Sequence, residues 1–133
     1  MKNKVALVAA NYYEDITNGL IDGVKNELDP SFEICEYKVD GAWELIYKIN
    51  QLSSNDSIDK FIAIGVIVKG DTDHYEYISN GVVDGLINLT IHNNIYIANC
   101  VLNVLNLDQA EARIKENKNK GSEAAIALNN LFI

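Results

Sequence analysis

The sequence predicts an α/β fold, a four-stranded parallel sheet flanked by helices. Three observations predict it. Short apolar, β-branched runs alternate with longer segments whose apolar residues recur every three or four positions, in the order βαβαβαβαα. The run Ile62–Val68 is apolar throughout, as a strand covered on both faces must be. Phe32–Val39 instead alternates, with Phe32, Ile34, Tyr37 and Val39 set against Glu33, Glu36 and Lys38, the pattern of an edge strand with one wetter face. Right-handed crossovers place such units in sheet order 2-1-3-4, a flavodoxin-like three-layer sandwich.

Taken in order, Lys4–Ala10 is the first strand. A helix from Asp15 to Leu28 follows, with Ile16, Leu20, Val24 and Leu28 forming one stripe, and Asp29-Pro30 ends it. After the second strand, Asp40-Gly41 turns into a helix over Ala42–Leu52, and Ser53–Ser57 reads as a loop. The third strand breaks into Lys69-Gly70-Asp71-Thr72-Asp73, and a helix runs from His74 to Ile91 with Ile78, Val82, Leu86 and Leu89 inward. His92-Asn93-Asn94 closes it. Ile95–Leu102 is the fourth strand. Short helices over Leu107–Lys115 and Ser122–Leu131 are separated by Asn117–Gly121. Without internal repeats or low-complexity tracts, residues 1–133 are expected to form one domain.

Bulk properties narrow the function. A net charge of −8 argues against nucleic acid or an anionic membrane as partner. Any anionic ligand must then be met by a local group of cations. Cys35 and Cys100 each lie in an apolar strand-like run, as free thiols of a reducing cytoplasm do. No apolar run approaches the ~18 residues of a membrane span. Met1-Lys2-Asn3-Lys4 leads into a strand without a signal-peptide core, so the expected location is cytoplasmic. The two histidines pair with no cysteine or acid at a metal-ligand spacing, so no metal is expected. No glycine-rich dinucleotide or nucleotide loop follows strand one.

Open α/β sheets bind ligands at the carboxyl ends of their strands. Four segments are expected there: Asn11-Tyr12-Tyr13, Asp40–Glu44, Lys69–His74 and Asn99–Asn103. The third unites a cation, a glycine backbone, a hydroxyl and an imidazole, which suits an anion site beside an acid/base group. Tyr12 offers a face to a flat heteroaromatic ring, or is a tyrosine packed in a loop. Glu44 can accept from vicinal hydroxyls, or is an acid favoured by the helix dipole. His74 taken alone reads as a cap or surface residue at a helix start. Arg113 carries the planar fork that binds phosphate, or pairs with Asp108 or Glu111 on its own helix.

The string Gly65-Val66-Ile67-Val68-Lys69-Gly70-Asp71-Thr72-Asp73-His74-Tyr75-Glu76-Tyr77-Ile78 resembles the lumazine synthase signature, roughly G-x-V-I-[RK]-G-x-T-x-H-[FY]-[ED]-x-[VI]. Ala10–Ile16 is similar to that family's A-R-F-x-x-x-I, and Val39–Leu45 to V-P-G-A-[FYW]-E-[IL]. Leu107–Arg113 is similar to I-E-Q-A-x-x-R, and Asn119–Ala125 to N-K-G-x-E-A-A, so the likeness runs collinearly from Lys4 to Leu131.

The resemblance implies an enzyme of riboflavin synthesis. It would condense 5-amino-6-ribitylaminouracil with 3,4-dihydroxy-2-butanone 4-phosphate, without metal or organic cofactor. Tyr12 would stack on the pyrimidine, with Ile67 and Val68 on its edge. Gly41, Ala42, Trp43 and Glu44 would take the ribityl chain, and Lys69 and Asn99 would add substrate contacts. Gly70, Asp71, Thr72, Arg113 and Lys120 would hold phosphate, and His74 would carry protons. Arg113 and Asn99 would reach a site shared with an adjacent subunit of a homo-oligomer, in the family a pentameric ring. Riboflavin synthase would be a further partner.

The chain departs from the pattern at Asn11 (Arg in the family), Asp40 (Pro), Ile46, Asn103 (Thr) and Leu105 (Glu), and lacks one residue between Arg113 and Gly121. These departures leave open a second reading, a non-catalytic flavin- or lumazine-binding or shell-forming homologue. An unrelated flavodoxin-like regulator would need an acidic pocket or hydroxyl-rich loop after strand one, and Asn11-Tyr12-Tyr13 is neither.

Overall fold

The apolar runs become four parallel strands in the computed structural model, which describes residues 3–55 and 58–133. They are β1 (Asn3–Ala10), β2 (Phe32–Val39), β3 (Lys60–Val68) and β4 (Tyr96–Val104), in the order β2-β1-β3-β4. β1 pairs with β2 along its whole length and with β3 from Ala6↔Phe61 to Ala9↔Ile64. β3 pairs with β4 from Lys60↔Tyr96 to Val68↔Val104. The helices are α1 (Glu14–Glu27), α2 (Glu44–Asn55), α3 (His74–His92), α4 (Leu107–Ala112) and α5 (Lys120–Phe132). The fold class and strand order are those that the hydrophobic pattern predicts.

Strand alternation divides the core in two. Val5, Leu7, Ile62, Ile64, Cys100 and Leu102 face α1 and α5, where they meet Leu20, Val24, Ala125 and Leu128. Ala6, Val8, Phe61, Ala63 and Ile67 face α2 and α3, against Leu45, Ile49, Val82 and Leu86. Leu20, Leu45 and Phe61 are fully buried, each contributing about 1.5–3 kcal/mol of transfer free energy.

Boundaries move for identifiable reasons. α2 starts at Glu44 rather than Ala42, because Gly41–Trp43 make a turn in which the Glu44 and Leu45 amides donate to the Gly41 and Ala42 carbonyls. Its end runs through Ser53 and Ser54 to Asn55, where a loop was expected. Ser53 Oγ donates to the Asn50 carbonyl at 3.2 Å and accepts from Asn93 Nδ2 at 2.8 Å, which holds the last turn. The rest of that expected loop, Asp56 and Ser57, lies outside the described residues, as do Met1 and Lys2. Asn94, at φ 54°, takes the left-handed conformation that asparagine tolerates and closes α3. α4 is shorter than expected, and a 3-10 turn at Glu116–Lys118 precedes α5. α5 begins at Lys120 because Asn119 caps it, accepting from the Gly121 and Ser122 amides.

β4 also outruns its expected end at Leu102, reaching Val104. Asn99 and Asn103 therefore sit inside an edge strand rather than in a turn after it. Their side chains serve its backbone: the Val101 amide donates to Asn99 Oδ1 at 2.9 Å, and Asn103 Nδ2 donates to the Val101 carbonyl at 3.3 Å. Among the described residues no helix is long and apolar enough to cross a membrane.

Thr17 is the fully buried polar residue nearest the strand ends. Its hydroxyl donates to the Ala10 carbonyl at 2.8 Å, fastening α1 to the end of β1. Thr17→Val keeps the shape and orphans that carbonyl, so it should lower the free energy of unfolding by about 1–3 kcal/mol, read from urea denaturation. Cys100 is buried, and desolvation above all pushes its thiol from 9.0 up to about 12. The folded state thus keeps a proton that the unfolded chain gives up, and stability should fall as pH rises from 9.0 toward about 12. Cys100→Ala should flatten that part of the stability–pH curve, and a thiol reagent should label Cys100 only on unfolding.

Candidate active site

The carboxyl ends of β1, β2 and β3 bring three loops together, and backbone bonds fix them to one another. The Asn11 amide donates to the Val39 carbonyl at 2.8 Å, joining the exits of β1 and β2. The Lys69 amide donates to the Val104 carbonyl at 2.9 Å, joining the exits of β3 and β4. Between the first three exits lies a cavity of about 290 Å³. Tyr12, Tyr13, Gly41, Ala42, Val66, Ile67, Val68, His74 and Ile78 line it.

Tyr12 and Tyr13 meet edge to face, with ring centroids 4.8 Å apart and planes at 74°. Tyr13 is half-buried, and desolvation first, then the neighbouring Tyr12, raises its hydroxyl pKa. Tyr12 is 76% exposed, so this aromatic face is presented to the cavity mouth rather than consumed in packing. His74 is exposed at the first position of α3, and its amide donates to Thr72 Oγ1 at 3.3 Å. The Lys69–Asp73 loop stands in solvent. A side chain placed at Gly70 would meet nothing within 4 Å, so the fold of the single chain does not itself demand glycine there.

Glu44 does not line the cavity but supports it. Its Oε1 accepts from the Gly41 amide at 3.0 Å, while its own amide donates back to the Gly41 carbonyl, a reciprocal cap that holds the Gly41–Ala42 wall. Trp43 turns the other way. It is 60% exposed and, with Ile46, Tyr47, Asn50, Gly81, Gly85 and Leu89, lines an apolar groove of about 580 Å³ between α2 and α3.

Arg113 and Lys120 share a different cavity, of about 310 Å³, with Ala112, Asn117, Lys118 and Glu123. Arg113 makes no ion pair with Asp108 or Glu111. Its Nη1 donates to the Gln109 carbonyl at 2.7 Å, at the end of α4. Lys120 Nζ pairs with Glu123 Oε1 at 3.1 Å. In a chain of net charge −8, this gathers three cations, Arg113, Lys118 and Lys120, against one carboxylate. Asn99 joins neither cavity. It stands opposite Ala63 in mid-strand, well below the Val68↔Val104 rim.

Within one chain, then, Tyr12, Gly41, Ala42, Ile67, Val68 and His74 meet, Arg113 and Lys120 meet elsewhere, and Trp43 and Asn99 stand apart. Val66 and Ile78 are cavity residues that sequence reasoning passed over, and Tyr13, expected at the rim, had no role assigned to it. Ile78 lies one helical turn after His74, and Val66 shares the strand face of Val68, so periodicity carried the signal for both. Among the described residues no group of three or more His, Cys, Asp or Glu is arranged to hold a metal ion.

The family model described as 6,7-dimethyl-8-ribityllumazine synthase matches residues 2–132. A relative of that name from Sphingopyxis alaskensis is 37% identical over 125 residues, covering 92% of this chain and 88% of its own. Another, from Zymomonas mobilis, is 34% identical over 131 residues, with 97% and 94% covered. One from Christiangramia forsetii is 31% identical over 131 residues, with 93% and 77% covered. A match across nearly the whole length, on a sheet of this topology, makes the chain a member of the 6,7-dimethyl-8-ribityllumazine synthase family.

Proposed function

We propose that residues 1–133 act as one lumazine synthase domain. The reaction condenses 5-amino-6-ribitylaminouracil with 3,4-dihydroxy-2-butanone 4-phosphate in riboflavin synthesis. The observation that carries this is the cavity joining an exposed tyrosine face, the backbone edges of Ile67 and Val68, and an unencumbered imidazole. Tyr12 stacks on the pyrimidine. The backbone at Gly41, Ala42 and Trp43 and the second carboxylate oxygen of Glu44 take the ribityl hydroxyls. Lys69 is an outer contact, and Asn99, remote from its own chain's cavity, reaches the site of an adjacent subunit. Gly70, Asp71, Thr72, Arg113 and Lys120 hold the phosphate.

The 5-amino group attacks the ketone and water leaves, giving an imine. Inorganic phosphate is then eliminated, and the ribityl-bearing nitrogen closes the ring with loss of a second water. His74 relays the protons. Positioning provides most of the rate, because holding amine and ketone together replaces a bimolecular encounter. The cations and loop amides accept the departing phosphate's charge.

Self-association completes the site in this reading. Arg113 and Lys120 lie outside the ring cavity of their own chain, and the α2–α3 groove carries exposed apolar surface such as Trp43 and Tyr47. A pentameric ring in the cytoplasm, with riboflavin synthase using the product, is the arrangement we favour. One observation favours the non-catalytic homologue instead. Asn11 stands where the family has arginine, and its buried Oδ1 lacks a hydrogen-bond partner among the described residues.

Mixing both substrates should yield product, followed by lumazine fluorescence; binding of either without product would favour the non-catalytic reading. His74→Ala should cut kcat by about 10²–10⁴-fold, the usual contribution of a positioned proton carrier. Because the site is shared, mixed oligomers of His74→Ala and Arg113→Ala chains should regain activity that each variant alone lacks. Failure of that complementation after subunit exchange would place both residues in the service of one chain's site.

A further inference from the structure

Asn119 is one of only two buried polar residues among those described, at 7% exposure, and every polar group of its side chain is used. Its Nδ2 donates to the Gly19 carbonyl of α1 and to the Ile114 carbonyl, each at 3.0 Å. Its Oδ1 accepts from the Gly121 amide at 2.7 Å and the Ser122 amide at 3.1 Å. One side chain therefore ties three pieces of chain together: the middle of α1, the segment leaving α4, and the first turn of α5.

Those last two pieces carry the cations. Arg113 ends α4, Lys120 begins α5, and the Lys120 amide donates to the Arg113 carbonyl at 2.9 Å. Glycines let α1 come close enough to serve as the anchor. A Cβ on Gly23 would run into Asn119 Oδ1, one on Gly121 into the Leu20 carbonyl, and one on Gly19 into Ile114 at 2.9 Å. Ser122 Oγ adds a bond to the Gly23 carbonyl at 3.2 Å. A helix N-cap needs only an oxygen acceptor, and serine would supply it. The two N–H tethers go beyond what capping requires.

We propose that Asn119 is a positioning residue for the phosphate-bearing substrate. It acts through Arg113 and Lys120, whose spacing it sets by pinning the shortened loop between them to α1. The inference rests on the phosphate-holding role proposed above for those two cations. A polar side chain with two donors and two acceptors at fixed angles holds a loop in one arrangement, and buried groups left unmet would penalise any other.

The test measures KM separately for the phosphate-bearing ketone and the ribitylaminopyrimidine, in the full chain and in Asn119→Ser, Arg113→Ala and the double variant. Asn119→Ser retains a capping oxygen for α5 and removes both tethers. We expect it to raise KM for the ketone about tenfold, the scale on which outer support of a ligand-holding group acts, with KM for the pyrimidine unchanged. In the double variant the ketone effect should fall short of the product of the two single effects, since both act on one group. Should Asn119→Ser fail to fold, Gly23→Ala, which displaces the Asn119 amide without altering it, is read by the same two constants. If both KM values rise together, or the single effects multiply, Asn119 is merely structural and the inference fails. An Arg113→Ala chain with unchanged ketone KM would overturn the phosphate assignment itself, and this inference with it. A large Arg113→Ala effect beside a silent Asn119→Ser overturns the inference alone.

Discussion

Two-sided burial of β1 and β3 is the constraint from which the rest follows. Val5 through Ala10 and Phe61 through Ile64 are shielded almost completely, with helices on both faces. No ligand can approach the middle of such a sheet. Only the strand ends are left, where backbone groups run out of ladder partners and loops must satisfy them. The ring cavity is the space left where three of those loops diverge. Its walls are rigid because they continue buried strands, and its mouth is polar because loops cannot be buried without partners.

Rigid walls and a loose rim give the cavity two mechanical characters. Ile67, Val68, Gly41 and Ala42 are held by the ladder or by the Glu44 cap. The loop from Lys69 to Asp73 is held at its ends, by the Lys69–Val104 bond and by the Thr72–His74 turn, and its tip touches little else. The planar part of a ligand would thus meet a preformed slot. A charged part would meet a loop that still has freedom to lose, at an entropic cost. Net negative charge sharpens the contrast, since the three cations of the second cavity stand out against a field of carboxylates.

The fold was legible because its determinants are local and repetitive. A run such as Ile62–Val68 has no other stable use in a chain of this size, and the α1 stripe of Ile16, Leu20 and Val24 states its period plainly. Boundaries were less legible where tertiary bonds overrode local preference. Ser53 is helical because Asn93 reaches it from another element, and Asn103 is in a strand because its amide serves the Val101 carbonyl. At the site, Tyr12, Gly41, Ala42, Ile67, Val68 and His74 could be gathered in advance from the strand ends and the turns that follow them. The directions taken by Trp43 and Arg113 could not. They depend on how far one helix rotates against its neighbour and where a short helix stops, and neither is written in a local pattern.

The outer strand of the sheet has a consequence for crowding and fibril formation. Exposed strand edges recruit other strands, and proteins blunt them with polar side chains. At β4 the Val101 amide and carbonyl are already occupied by the Asn99 and Asn103 side chains. An incoming strand would have to displace two amides before it could dock there. Accretion of sheet onto sheet is disfavoured at that margin.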